Sequence, residues 1–243
     1  MRLTVVGCSP AWPNPGGAQS GYLVESGGGA VLLDCGPGVL ARLRSVEPWP
    51  DPDAVVITHF HLDHWGVLVP WVWGALHLGR RGVELRKPAL WLPPGGSAML
   101  EQFGGLLGLS GMFERVFAPF EYTPGVAFTA GGCAITAIRV PHYRVESHAL
   151  RVVGDDRVLA YSGDAGPSEA LVAAAQGADL FLCEATLLAG DADGEPRGHL
   201  SLDEARAAFE ASGAKELLLT HRPVELGVPG DLDLAHDGLV RNV

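Results

Sequence analysis

The sequence predicts an α+β sandwich in which β-sheets are covered by helices. Short apolar or β-branched segments bounded by Gly, Pro or Asp recur along the whole chain. The early ones follow one another in hairpin-like succession, whereas the later ones alternate with helical patterns, a mixture that argues against a simple parallel barrel. The 33 Gly and 18 Pro supply turns for many short elements, and no Gly-x-y period points to a fibrous fold.

In order, strands are expected at 3–6, 22–24, 31–33, 55–58, 89–92, 135–140, 149–153, 158–161, 180–183 and 217–220, with a closing edge strand at 239–243. Helices are expected near 37–45, 64–78, 95–107, 168–176 and 201–212. The last opens Ser201-Leu202-Asp203-Glu204, a capping box. Ser9 to Gly17 reads as a loop after the first strand.

A chain of 243 residues suits a single domain spanning 1–243, and 47% hydrophobic with 19% charged residues excludes disorder. The net charge of −11 argues against a large nucleic-acid footprint. Cys8, Cys35, Cys133 and Cys183 are widely spaced, as reduced thiols would be. Val5-Val6-Gly7-Cys8 resembles a lipoprotein cleavage site, but the apolar stretch before it is too short for a signal segment. The apolar run from Trp65 to Leu78 is too short to span a bilayer and contains Pro70. A cytoplasmic protein with no membrane partner is expected.

Thr58-His59-Phe60-His61-Leu62-Asp63-His64 follows a buried-strand pattern and places three His and one Asp within six residues. Imidazole and carboxylate are the nitrogen and oxygen ligands of zinc and similar ions. His59 and His61, two apart, project the same way from an extended chain, and Asp63 and His64 turn onto the next helix. One short loop can therefore serve two neighbouring ions.

His-x-His-x-Asp-His after a strand resembles the signature of the metallo-β-lactamase-fold hydrolases. The resemblance extends over about residues 4–240. Leu32-Leu33-Asp34-Cys35-Gly36-Pro37-Gly38 is similar to the family's ligand-supporting Asp on a glycine turn. Pro141-His142-Tyr143, Tyr161-Ser162-Gly163-Asp164 and Leu218-Leu219-Thr220-His221 are similar to its later ligand segments. Cys183-Glu184-Ala185-Thr186 and His199-Leu200-Ser201 resemble the paired motifs of the ribonuclease Z-like phosphodiesterase branch.

The resemblance implies a four-layer αββα sandwich and two divalent metal ions, zinc foremost, with manganese or iron as alternatives. It implies His59, His61 and His142 on one ion and Asp63, His64 and His221 on the other. Asp164 and a hydroxide would bridge the two. Asp63, His199 and Glu184 are the candidate catalytic residues, with His199, polarised by Glu184, as an acid for the leaving group. Two divalent cations set against Asp63, Asp164 and hydroxide leave about one positive charge, which favours an anionic substrate. The expected function is a metal-dependent phosphodiesterase on a small or nucleotide-type substrate. The alternatives are an acyl hydrolase of the lactonase or thioesterase kind and a non-catalytic metal-binding sensor.

Bacterial ribonucleases Z carry a long arm between the segments corresponding to His142 and Asp164; here only a hairpin through Gly154-Asp155-Asp156 separates them. A large RNA partner is therefore not expected. The basic cluster from Arg80 to Lys87 reads as a solvated loop after the helix, with a position over a substrate entrance as the alternative. Trp65, Trp71 and Trp73 read as core packing, with a homodimer interface or an aromatic pocket wall as the alternative. His148 is placed near the His142 loop, without a ligand role.

Overall fold

Strand-forming segments rich in Val, Leu and Ile pair into two sheets. The computed structural model describes all of residues 1–243 except 47, 48, 50, 80, 81, 83–85, 191, 192, 195, 228, 229 and 231. Most of the basic segment 80–87 therefore lies outside the described residues. The first sheet holds β1 (Arg2–Gly7), β2 (Gly21–Ser26), β3 (Gly29–Leu33), β4 (Ala54–Val56), β5 (Ala89–Leu92), β6 (Ala118–Glu121) and β14 (Val240–Asn242), in the order β14-β1-β2-β3-β4-β5-β6. The second holds β7 (Ala127–Ala130), β8 (Cys133–Val140), β9 (Ser147–Gly154), β10 (Arg157–Tyr161), β11 (Leu180–Glu184), β12 (Glu216–Thr220) and β13 (Asp233–Leu234), in the order β13-β12-β11-β10-β9-β8-β7.

Side-chain alternation sets the layers. Val31 and Leu33 face the second sheet and meet Ile135, Leu150, Val152 and Leu182 in the central core. Leu32, between them, faces outward with Val55, Ile57 and Leu90, against Trp65, Leu68 and Trp71. On the other side, Phe181, Cys183 and Leu219 meet Leu171, Ala174 and Ala205. The outer layers are α1 (Val39–Leu43), α2 (Leu62–Trp65), α3 (Leu68–Gly79) and α4 (Gly96–Leu106) on one face, and α5 (Glu169–Ala175) and α6 (Leu202–Ser212) on the other. This is the αββα sandwich that the sequence predicts.

Three local outcomes differ from expectation. The helix expected over 64–78 is two helices, α2 and α3. Pro70 has no N–H to donate to Gly66, so a continuous helix would lose that bond; Pro70 instead occupies the first turn of α3, where no donor is needed. The Val67 N–H turns to the Cys35 carbonyl at 3.2 Å. Edge strands β6, β7 and β13 were not expected. Trp65 and Trp71 are core residues, but Trp73 is 54% exposed, a correction to its reading as core. Two residues past Trp71 on a helix, it is turned away from the sheet.

The direction of the strands positions the site. β3 and β4 are parallel, as are β10, β11 and β12. β8 is antiparallel to β9, which is antiparallel to β10, so β8 runs with β10. The carboxyl ends of β3, β4, β8, β10, β11 and β12 therefore gather at one edge of the sandwich. Asp34, the His59–His64 segment, His142, Asp164, Glu184 and His221 lie at or just past those ends. Among the described residues, no helix is long and apolar enough to cross a membrane.

Candidate metal centre

The His-rich loop divides as its spacing predicts. His61 is extended (φ −76°, ψ 141°) and precedes α2, while Asp63 and His64 lie in the first turn of that helix. α2 sits directly on the glycine turn after β3: a side chain at Gly36 would collide with the Asp63 carbonyl. Candidate donor atoms of His59, His61, His142 and Asp164 lie within 4.8 Å of one another, as do those of Asp63, His64, Asp164 and His221. Asp164 belongs to both groups.

Around Asp164 the spacing suits an ion better than direct hydrogen bonding. His64 Nε2 and His221 Nε2 lie 3.3 and 3.5 Å from Asp164 Oδ1, and His59 Nε2 and His142 Nε2 lie 3.7 and 3.8 Å from Asp164 Oδ2. Donor–donor edges of about 3.3 Å are what a tetrahedral site with ~2.0 Å bonds requires. His59 Nε2, His64 Nε2 and Asp164 Oδ1 are buried without a hydrogen-bond partner. Orphaned buried polar atoms are costly, and one cation in each group would satisfy all three.

The opposite faces of the imidazoles are committed. His64 Nδ1 donates to Asp34 Oδ2 at 2.7 Å, and His142 Nδ1 to the Gly198 carbonyl at 2.6 Å. His59 Nδ1 donates to Thr58 Oγ1 at 3.0 Å, and His221 Nδ1 to Thr186 Oγ1 at 2.9 Å. Each arrangement leaves Nε2 as the lone-pair nitrogen facing the cluster. His61 is turned the other way, with Nδ1 2.9 Å from His142 Nε2. Asp34 also accepts from the Thr58 N–H at 2.8 Å, from Thr58 Oγ1 at 2.9 Å and from the Tyr161 hydroxyl at 2.8 Å, so one buried carboxylate fixes the whole His loop.

Burial holds His59, His61 and His142 below the ordinary histidine range, hence neutral at pH 7, the form that binds metal. Burial also opposes charge on Asp63 and Asp164, but the surrounding imidazoles outweigh it and push both carboxyls well below their usual range. For His64, burial is outweighed by Asp164 and Asp34, which push it well above the ordinary value. A proton there takes the place a cation would fill. The donor set fits divalent ions.

Glu184 and His199 form a pair beside this cluster. His199 Nδ1 donates to Glu184 Oε1 at 2.9 Å, and Glu184 also accepts from the Ala165 N–H at 2.7 Å and from Thr186 Oγ1 at 2.6 Å. The His199 ring lies 4.9 Å from that of His142 and 5.8 Å from that of His221. Burial disfavours charge on His199, but Glu184 more than offsets it, and the pKa rises to about 9. Glu184, His199 and His221 also form a group of metal-binding type. There the Glu184–His199 hydrogen bond already occupies the facing atoms.

The candidate metal ligands and the Glu184–His199 pair come together at this edge. Two further residues support the site, Tyr122, which no motif marks, and His148, expected near the His142 loop. Tyr122 donates to the Ile57 carbonyl at 2.9 Å, and buried His148 reaches the Thr58 carbonyl at 3.3 Å, bracing the His loop from behind. Asp193 was likewise unforeseen, because its partners are mostly backbone N–H groups.

The β-lactamase superfamily domain model matches residues 30–222. The chain is 35% identical over 226 residues to the probable metallo-hydrolase YhfI of Bacillus subtilis, covering 92% of this chain and 87% of that one. The crystal structure of YhfI, a metallo-β-lactamase fold protein, superposes with a TM-score of 0.82 at 27% identity, covering 99% of this chain and 98% of that one. Ribonuclease Z of Bradyrhizobium is 26% identical over 277 residues, covering 91% of this chain and 89% of that one. The human short-form tRNase Z structure superposes with a TM-score of 0.77 at 22% identity, covering 100% and 99% of the two chains. Its fold, its His/Asp clusters and these matches together make the chain a metallo-hydrolase of the β-lactamase superfamily, with the metallo-β-lactamase fold.

Proposed function

We propose that residues 1–243 form one hydrolase domain acting as a dinuclear, zinc-dependent phosphodiesterase on a small or nucleotide-type substrate. His59, His61 and His142 would hold one ion, Asp63, His64 and His221 the other, and Asp164 both. When bound, the ions supply Lewis acidity and a water that deprotonates near neutral pH. Asp63 and Asp164 keep the pocket anionic enough to retain them. Asp34, Thr58, Thr186 and the Gly198 carbonyl keep the imidazoles in the required tautomers.

The observation that carries the choice of phosphodiester is the Glu184–His199 pair. Cleavage of a phosphodiester expels an alkoxide, a poor leaving group that a positioned acid assists. Glu184 holds Nδ1 of His199 at 2.9 Å, leaving Nε2 as the nitrogen that can donate a proton at the border of the cluster. The similarity to ribonuclease Z supports the same chemistry.

The link between His142 and Asp164 is the β9–β10 hairpin, with Asp155 and Asp156 at φ 50° and 55° as a two-residue turn requires. That leaves no arm for gripping a large RNA, and it supports a small substrate. The test is a panel of phosphodiester, phosphomonoester, lactone and thioester substrates with zinc-loaded protein. Preference for the phosphodiesters is expected; preference for a lactone or thioester would replace this reading with acyl hydrolysis.

A further inference from the structure

Asp193 lies in the connection between β11 and α6, yet its side chain is only 2% exposed. A buried carboxylate needs several donors. Its Oδ2 accepts from the Gly198 N–H at 2.7 Å, the His199 N–H at 3.0 Å and Arg197 Nε at 3.2 Å. Its Oδ1 accepts from the Tyr143 hydroxyl at 2.9 Å and the Gly194 N–H at 3.0 Å. Burial works against the charge, but the Gly198 and His199 N–H groups outweigh it and keep the carboxyl well below its usual range.

The peptide unit joining Gly198 to His199 is held on both edges. Its N–H goes to Asp193, and its carbonyl accepts His142 Nδ1 at 2.6 Å. The side chain leaving that same unit is His199, bound to Glu184. Tyr143 closes the ring of contacts. Its N–H donates to the Arg197 carbonyl at 3.0 Å, its backbone sits at φ 49°, and a side chain at Gly198 would meet its ring at 2.5 Å. Non-glycine residues hold such a φ only when their surroundings enforce it. Arg197 is separately tied to Glu204 of α6 at 2.9 Å, so the connection does not depend on Asp193 alone for its anchorage.

We infer that Asp193 is a positioning residue: by clamping the strap Arg197–Gly198–His199 it sets, through one peptide unit, both the imidazole of His142 and that of His199. This rests on the ligand and acid roles proposed above.

The test compares Asp193→Asn, Asp193→Ala and Glu204→Gln with the parent protein. Asn keeps the shape and one acceptor but cannot serve both donor sets. Glu204→Gln loosens the same connection without touching the strap N–H groups. In the metal-free protein, solvent exchange of the His142 Nδ1 proton, followed by NMR, should speed up about tenfold or more in Asp193→Asn. Zinc affinity at one of the two sites, measured by chelator competition, should fall by roughly 10- to 100-fold, as is typical for groups that orient ligands. The rate ratio between a p-nitrophenyl and an alkyl phosphodiester should rise. Glu204→Gln should leave all three readouts unchanged.

Unchanged His142 exchange and zinc affinity in a folded Asp193→Asn protein would overturn the assignment. So would the same changes appearing in Glu204→Gln. If His199→Ala itself shows no leaving-group dependence, the acid role fails, and exchange and zinc affinity alone then decide whether Asp193 positions His142. If Asp193→Ala does not fold, the Asn variant carries the comparison.

Discussion

Replacing His199 with Ala separates proton donation from every other contribution to the site. Structurally the change is confined. Glu184 would lose its imidazole partner but keep the Ala165 N–H at 2.7 Å, Thr186 Oγ1 at 2.6 Å and the Leu200 N–H at 3.3 Å. Because the carboxylate stays hydrogen-bonded, the stability cost should be limited to about 1.5–3 kcal/mol, the range for one hydrogen bond to a charged group. The kinetic cost should be larger and selective. A positioned acid contributes about 10²- to 10⁴-fold, equivalent to roughly 3–5 kcal/mol of barrier at ~1.4 kcal/mol per decade. An alkyl phosphodiester should lose rate on that scale. A p-nitrophenyl diester, whose phenolate leaves unaided, should lose less than about tenfold. The sign of the pH effect is fixed as well. Glu184 pushes His199 up, to about 9 without metal, so alkyl-ester turnover should fall as pH rises through the His199 pKa of the loaded enzyme, and that descending limb should be absent in His199→Ala. Steady-state rates on the two esters from pH 6 to 10, with zinc content measured on each sample, decide the matter. Equal losses on both esters, or loss of zinc, would refute the acid role and remove the main reason for preferring phosphodiesters.

Elemental analysis of reconstituted protein should find about two zinc ions per chain; Asp164→Ala should lower both occupancies, whereas His221→Ala should chiefly lower one, and a single ion in the parent protein would exclude the dinuclear site. Precursor tRNA should be processed far more slowly than small phosphodiesters, and comparable rates would show that the β9–β10 hairpin does not limit substrate size. Ser201 accepts from the Glu204 N–H and so caps α6; Ser201→Ala should cost about 1 kcal/mol, lowering Tm by roughly 2–4 °C. Zinc content should stay unchanged in that variant, and calorimetry with metal analysis checks both.

What the sequence revealed of this centre follows from where each interaction stores its information. The His59–His64 loop is legible because four ligand-type side chains crowd into six residues and their spacing divides them between an extended segment and a helical turn. His142, Asp164, Glu184 and His221 are single letters after apolar strands. Residue type alone does not mark them; the likeness of their short segments to the family's motifs does, and the strand directions then bring the six carboxyl ends to one edge. The edge strands β6, β7 and β13 carry no strong sequence signal, because a strand paired on one side need not carry a long apolar alternation; β6 even contains Pro119. The break between α2 and α3 did have a signal, Pro70, which the apolar run around it masked. Asp193 had none. Its work is done on backbone N–H groups, which every residue but proline carries, so no side-chain pattern announces it. The ligands are set out by residue type and spacing. The geometry that makes them a centre depends on Asp34 gripping the His loop and on a peptide unit held between Asp193 and His142, and both are consequences of tertiary packing.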